Sequence, residues 1–128
     1  MDSLYIKQTE DTPLIDFSFS EGRCDIIGNS IPENIYKFYD PILKWLDTYI
    51  ENPQPCTVFN FQMKMISSSS SKLFFDIFNK IDYLNESGKA SVRINWYYSM
   101  YDDEIREIGV DYKDLMNVPF YVVLTEEK

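Results

Sequence analysis

Histidine is absent from the 128 residues, and this excludes more chemistry than any other feature of the sequence. Without an imidazole there is no Ser-His-Asp or Cys-His triad, no phosphohistidine relay, no imidazole metal ligand and no side chain that ordinarily titrates near neutral pH. Cysteine is scarce as well. Cys24 and Cys56 are too few and too far apart for a zinc knuckle or a CxxC redox pair, leaving at most one disulfide. Basic residues are in the minority: 12 Lys and Arg against 21 Asp and Glu give a net charge of -9, a field that repels phosphate backbones and anionic lipid surfaces. Neither nucleic acid nor a membrane is expected as a partner. No apolar run approaches the ~20 residues that cross a bilayer. The opening Met1-Asp2-Ser3-Leu4-Tyr5-Ile6-Lys7 lacks the basic and apolar regions of a secretory signal. The expectation is a soluble cytoplasmic protein with reduced thiols.

What the sequence does have is apolar and aromatic mass. Hydrophobic residues make up 45% and aromatics 16%, enough burial to offset the conformational entropy that keeps polar chains disordered. The length suits one core, so residues 1–128 read as a single domain.

The N-terminal third alternates rather than winds. Leu14-Ile15-Asp16-Phe17-Ser18-Phe19 and Cys24-Asp25-Ile26-Ile27 flank the turn signal Glu21-Gly22-Arg23, which predicts a hairpin, with a short strand at Leu4 to Lys7 before it. Ser30-Ile31-Pro32-Glu33 has capping-box spacing and predicts a helix start near Ser30. Ile35, Phe38, Ile42, Trp45, Leu46, Tyr49 and Ile50 then recur at helical period, and Pro41 is expected to kink or restart the helix. Cys56 to Ile66 reads as a long strand in which Val58, Phe61, Met63 and Met65 drift out of phase, the mark of a bulge. After five serines, Leu73, Phe74, Ile77, Phe78, Ile81 and Leu84 set a helix starting near Ser69 and stopped by Gly88. Val92, Ile94, Trp96 and Tyr98 form a strand, Asp102-Asp103-Glu104 opens an acidic helix, and Pro119 to Leu124 closes as a strand. The order is β-β-β-α-β-α-β-α-β. It predicts an α/β (α+β) fold, a mixed sheet with an antiparallel N-terminal part and helices mainly on one face.

Ser67-Ser68-Ser69-Ser70-Ser71 sits between a buried strand and an amphipathic helix. A helix cap accounts for one serine. It accounts poorly for five, since Ser lowers helix propensity and offers competing local hydrogen bonds. A phosphoacceptor accounts for more: the helix N-terminus offers unpaired amides and a partial positive charge, and a phosphate adds roughly -1.5 to -2 charges at one turn.

Three stretches resemble the bacterial SiaC-type regulatory phosphoproteins. Gly28-Asn29-Ser30-Ile31-Pro32-Glu33-Asn34 with the aromatic helix to Trp45-Leu46 is similar to the family's Gly-x-Ser-Tyr-Pro-Glu-Asn opening. Ser67 to Lys72 followed by Asp76-Ile77-Phe78 resembles its Asn-Thr-Ser-Ser-Ser-Lys turn and helix. Trp96-Tyr97-Tyr98, Asp102-Asp103-Glu104, Glu107 with Gly109, and Pro119-Phe120 resemble its C-terminal third. The resemblance implies a STAS-like fold, similar to anti-sigma factor antagonists, with no catalysis and no cofactor. A hydroxyl at a helix start would be phosphorylated by a dedicated Ser/Thr kinase and cleared by a PP2C-type phosphatase. In the best-described branch the unphosphorylated form activates a diguanylate cyclase, which ties the switch to cyclic di-GMP and biofilm formation. The acceptor threonine of that branch falls on Ser68, with Ser69 and then Ser67 next in line. The sequence departs there, with Ser for Thr and Ser67 for the preceding Asn. Ser69, Ser70, Lys72 and Asp76 are the implied partner contacts.

Other residues carry weaker signals. Asp102, Asp103, Glu104 and Glu107 offer oxygen ligands of the kind Mg2+ takes, but acidic residues early in a helix are expected from the macrodipole alone, so no metal is assigned. Tyr83, Tyr97 and Tyr101 are candidate partner anchors. The competing function class is a small enzyme or metal-binding domain built on this acidic segment, with Asp102 or Glu107 as acid and base. It would need a concave pocket and a carboxylate with a raised pKa.

Overall fold

The computed structural model describes residues 1–125. Strands β1 (Leu4–Ile6), β2 (Leu14–Ser18) and β3 (Arg23–Ser30) pair antiparallel in sequence. Gly22 turns β2 into β3 at φ 64, and a Cβ there would stand 2.3 Å from the Cys56 carbonyl oxygen. Helix α1 (Ile35–Glu51) leads to β4 (Cys56–Ile66), α2 (Ser68–Ser87) to β5 (Ser91–Tyr98), and α3 (Asp103–Leu115) to β6 (Phe120–Leu124). Each of these later strands joins its predecessor in parallel, so the sheet order β1-β2-β3-β4-β5-β6 repeats the chain order. The fold is the expected α/β arrangement of a mixed sheet with an antiparallel start.

All three helices cover the same face. Trp45 of α1 packs on Phe17, Phe74 and Phe78 of α2 on Phe61, and Tyr112 of α3 on Trp96. Phe17, Phe61 and Trp96 are fully buried on that face. On the other face, register places Asp16, Asp25, Asn60 and Asn95 in one row across four strands. Asn95 Nδ2 donates to Asn60 Oδ1 at 3.0 Å, and Asn60 Nδ2 to Asp25 Oδ1 at 2.9 Å. Arg23 closes the row through Asp25, Asp16 and Glu21. Hydrogen-bonding side chains thus pair with one another where no helix covers the sheet.

Two expectations need correction. The helix begins at Ile35, not near Ser30: Asn34 Oδ1 caps the Lys37 amide at 3.2 Å, while Ser30 is the last residue of β3 and fully buried. Pro32 favours an extended Ile31, which holds the chain out of helix for those residues. Helix α1 then runs unbroken through Pro41. In β4 the buried set is Thr57, Phe59, Phe61 and Met63 in strict alternation; Val58 points to the uncovered face and Met65 is exposed. The irregularity lies at the strand's end, where Gly28 pairs Met63 but Ser30 pairs Ile66. That extra β4 residue sits just before the serine turn.

Both cysteines are free, Cys24 buried and Cys56 exposed. No helix among the described residues is long and apolar enough to cross a membrane.

Candidate functional site

Ser67 ends the extended backbone after β4 and caps α2, its Oγ accepting the Ser70 amide at 3.1 Å. The cap rests on a buried circuit of hydroxyls. Ser70 Oγ donates to the Ser30 carbonyl at 2.8 Å, which uses its one proton. It therefore accepts from Ser67 Oγ at 3.0 Å and from Ser30 Oγ at 2.7 Å, and Ser30 Oγ in turn accepts from the Tyr39 hydroxyl at 2.6 Å. The Ser67 amide donates to the same Ser30 carbonyl at 2.9 Å. With the Ser67 proton committed to Ser70, Ser69 is the donor in the 3.3 Å contact between Ser69 and Ser67. Burial pushes the Tyr39 phenol pKa far up, opposed in part by its bond with Ser30, so Tyr39 keeps its proton and the circuit keeps its direction.

This circuit sorts the five serines. Ser70 is fully buried and both its proton and its acceptor sites are taken, so it supports the cap from inside and cannot be the partner contact expected of it. Ser67 is committed to the cap. Ser71 is half-buried and its carbonyl accepts from Tyr112 of α3 at 3.1 Å. Ser68 and Ser69 are exposed.

A shallow groove of about 500 Å³ opens beside them, lined by Ile35, Tyr36, Ser68, Ser69, Lys72, Leu73 and Asp76. Of the residues the sequence grouped as a site, Ser68, Ser69, Lys72 and Asp76 are brought together there. Asp76 also lines a second depression of about 700 Å³ between α1 and α2, with Leu43, Asp47, Ile50 and Tyr83. Exposed Tyr83 therefore belongs to the same side of the molecule, whereas Tyr101 is exposed beyond β5 and Tyr97 lies half-buried on the uncovered face. The groove wall formed by Ile35 and Tyr36, and the support from Tyr39, are additions that no motif announced. The residue pattern held one clue, since Tyr39 falls four after Ile35 and three before Ile42 on the apolar face of α1.

Asp102 caps α3 by accepting the Ile105 amide at 3.0 Å. No group of three or more His, Cys, Asp or Glu among the described residues is placed to hold a metal ion.

Known proteins with the same architecture fit this geometry. Apo-SiaC from Pseudomonas aeruginosa superposes with a TM-score of 0.88 at 24% identity, covering 95% of this chain and 98% of that one. The SiaC chain in the structure of the diguanylate cyclase SiaD with its activator SiaC, from the same organism, gives 0.89 at 23% identity over 95% and 99%. A protein of Pseudomonas aeruginosa strain UCBPP-PA14 is 24% identical over 127 residues, spanning 99% of this chain and all of that one. At such identities the solved structures speak to fold alone. The sequence itself carries the assignment: the SiaC family regulatory phosphoprotein model matches residues 6–125, from β1 through β6, and the chain belongs to that family.

Proposed function

We propose that this chain is a non-catalytic phospho-switch that binds an effector when Ser68 is unmodified and releases it when Ser68 carries phosphate. One observation carries the choice of residue. Among the serines of the turn, Ser68 alone is exposed with a hydroxyl bound to no other described residue. A kinase can reach it without opening the cap. Its place as first residue of α2 puts the added charge where the helix dipole tolerates it. The effector surface is the groove from Ser68 to Asp76 and the neighbouring depression toward Tyr83. A dianion there, with one lysine in reach, is costly to desolvate, so phosphate opposes docking. Because SiaC is named as the activator in its complex with the cyclase SiaD, a diguanylate cyclase is the effector class to try first. A Ser/Thr kinase and a PP2C-type phosphatase complete the cycle.

Intact mass and fragment analysis of the protein from its own host, with and without phosphatase, test the acceptor. Phosphate on Ser68, lost in Ser68→Ala, is expected; full stoichiometry in Ser68→Ala refutes it. Titrating both forms against the effector tests the switch. Ser68→Asp should bind with intermediate affinity, because it supplies less charge and fewer oxygens than phosphate. Equal affinity of the two forms removes Ser68 from the interface, and tighter binding by the phosphorylated form inverts the mechanism.

A further inference from the structure

Resting on the reading of Ser68 as acceptor, we propose that Lys72 is a movable counter-ion, placed between Asp76 and the Ser68 hydroxyl and captured by the phosphate when Ser68 is modified. Ser68, Lys72 and Asp76 are spaced four apart on α2, so they stand in file on one helix face, about 5–6 Å between successive Cβ atoms. All three line the same groove. Lys72 is exposed and makes no ion pair among the described residues, unlike Lys80 on the next turns, which is held by Asp47 of α1. The facing wall is Ile35 and Tyr36, which bring no charge; Glu33 and Lys37 lie in the adjoining depression around Asn34. Lys72 is thus the one cation in the groove lining, and Asp76 the one anion.

In the unmodified protein those two charges roughly cancel. A phosphate at Ser68 brings roughly -1.5 to -2 charges four residues before Lys72, against -1 four residues after it. The ammonium moves to the stronger, N-terminal anion, the same end of the helix where free amides favour negative charge. Two changes follow. The phosphate is tethered on its own helix, and Asp76 loses its partial neutralisation, so the groove becomes negative along its length instead of at one point. The signal is thereby carried two helical turns from the modified residue without any backbone movement.

The test installs phosphoserine at position 68 during synthesis of the full chain, without a kinase, and follows its titration by 31P NMR from about pH 4.5 to 8, around the usual value near 6. Replacing Lys72 by Gln should raise the phosphate midpoint by roughly 0.3 unit, the size expected from a helical ion pair. Lys72→Arg should keep the original midpoint. Asp76→Asn should lower the midpoint, and this effect should shrink when Lys72 is already Gln, since Asp76 acts by competing for the lysine. In urea all five proteins, the wild type, the three single variants and the double, should coincide. Coincident midpoints for folded wild type and Lys72→Gln would overturn the role of Lys72, as would an Asp76 effect independent of it. Since no kinase is used, such a failure leaves the acceptor to be judged by mass analysis.

Discussion

Gly109 lies on the buried side of α3 against the fully buried indole of Trp96. A Cβ at this position would come within 2.2 Å of Trp96 Cδ1 and 2.6 Å of Nε1. The indole cannot withdraw cheaply: Nε1 donates to the Ile105 carbonyl at 2.9 Å, and the rings of Phe61, Phe78 and Tyr112 surround it. Gly109→Ala therefore sets two effects against each other. Alanine gains about 1 kcal/mol of helix propensity over glycine. Overpacking at a rigid, pinned ring costs about 1–3 kcal/mol, and the contact distances put this case at the upper end. The balance is a loss of about 1–2 kcal/mol, or a fall of roughly 4–8 °C in melting temperature for a chain of this size. Thermal unfolding followed by circular dichroism measures it directly. Trp96→Phe in the same chain should recover part of the loss relative to the sum of the single changes, because the smaller ring clears the new methyl. An unchanged or raised melting temperature for Gly109→Ala would refute the close approach of α3 to Trp96.

Two further outcomes follow from the hydroxyl circuit. Ser70→Ala leaves the buried Ser30 hydroxyl and the half-buried Ser67 hydroxyl short of partners and should cost about 1–3 kcal/mol, whereas Ser68→Ala should stay within about 0.5 kcal/mol, as urea denaturation of the two will show. Tyr39, Tyr49 and Tyr112 all have pKa values raised by burial, so the folded state holds their protons beyond the ordinary tyrosine value of 10.0. Their contribution is intact below pH 10 and declines above it, as the unfolded chain ionises first. Tyr39→Phe should make stability fall less steeply in that alkaline range, and an unchanged slope would contradict its buried, protonated state.

The elements that the sequence disclosed well are those whose burial is written in apolar residues. Leu73, Phe74, Ile77, Phe78 and Ile81 mark α2 by period alone, and Gly22 marks the hairpin. What stayed hidden is polar burial. Thr57 had no place in the apolar phase read for β4, yet it is buried and its hydroxyl meets the Tyr49 hydroxyl at 2.7 Å inside the core. Ser30 read as a helix cap because capping is a local pattern; its actual partner, Ser70, is 40 residues away. Tyr39 went unnoticed for the same reason, since the oxygen it satisfies belongs to β3. The candidate site was legible only through the family resemblance, which singled out Ser68, Lys72 and Asp76; spacing alone named none of them, and the structure places all three along one groove. The assignment of roles among five identical side chains required knowing which hydroxyls meet, and that is a property of packing between distant strands.

The agreement between strand order and chain order bears on how the molecule comes into being. As the polypeptide emerges from the ribosome, each strand after β1 finds its first neighbour already made, one connection behind it, and no strand is inserted between two that are already paired. The contacts that define the serine turn close as soon as residue 70 is available, because Ser30, Tyr39 and Ser67 all precede it. The C-terminal helix and strand then add to the far side of the sheet, past β5. The hydroxyl contacts of the serine turn can thus be complete before α3 and β6 are synthesised.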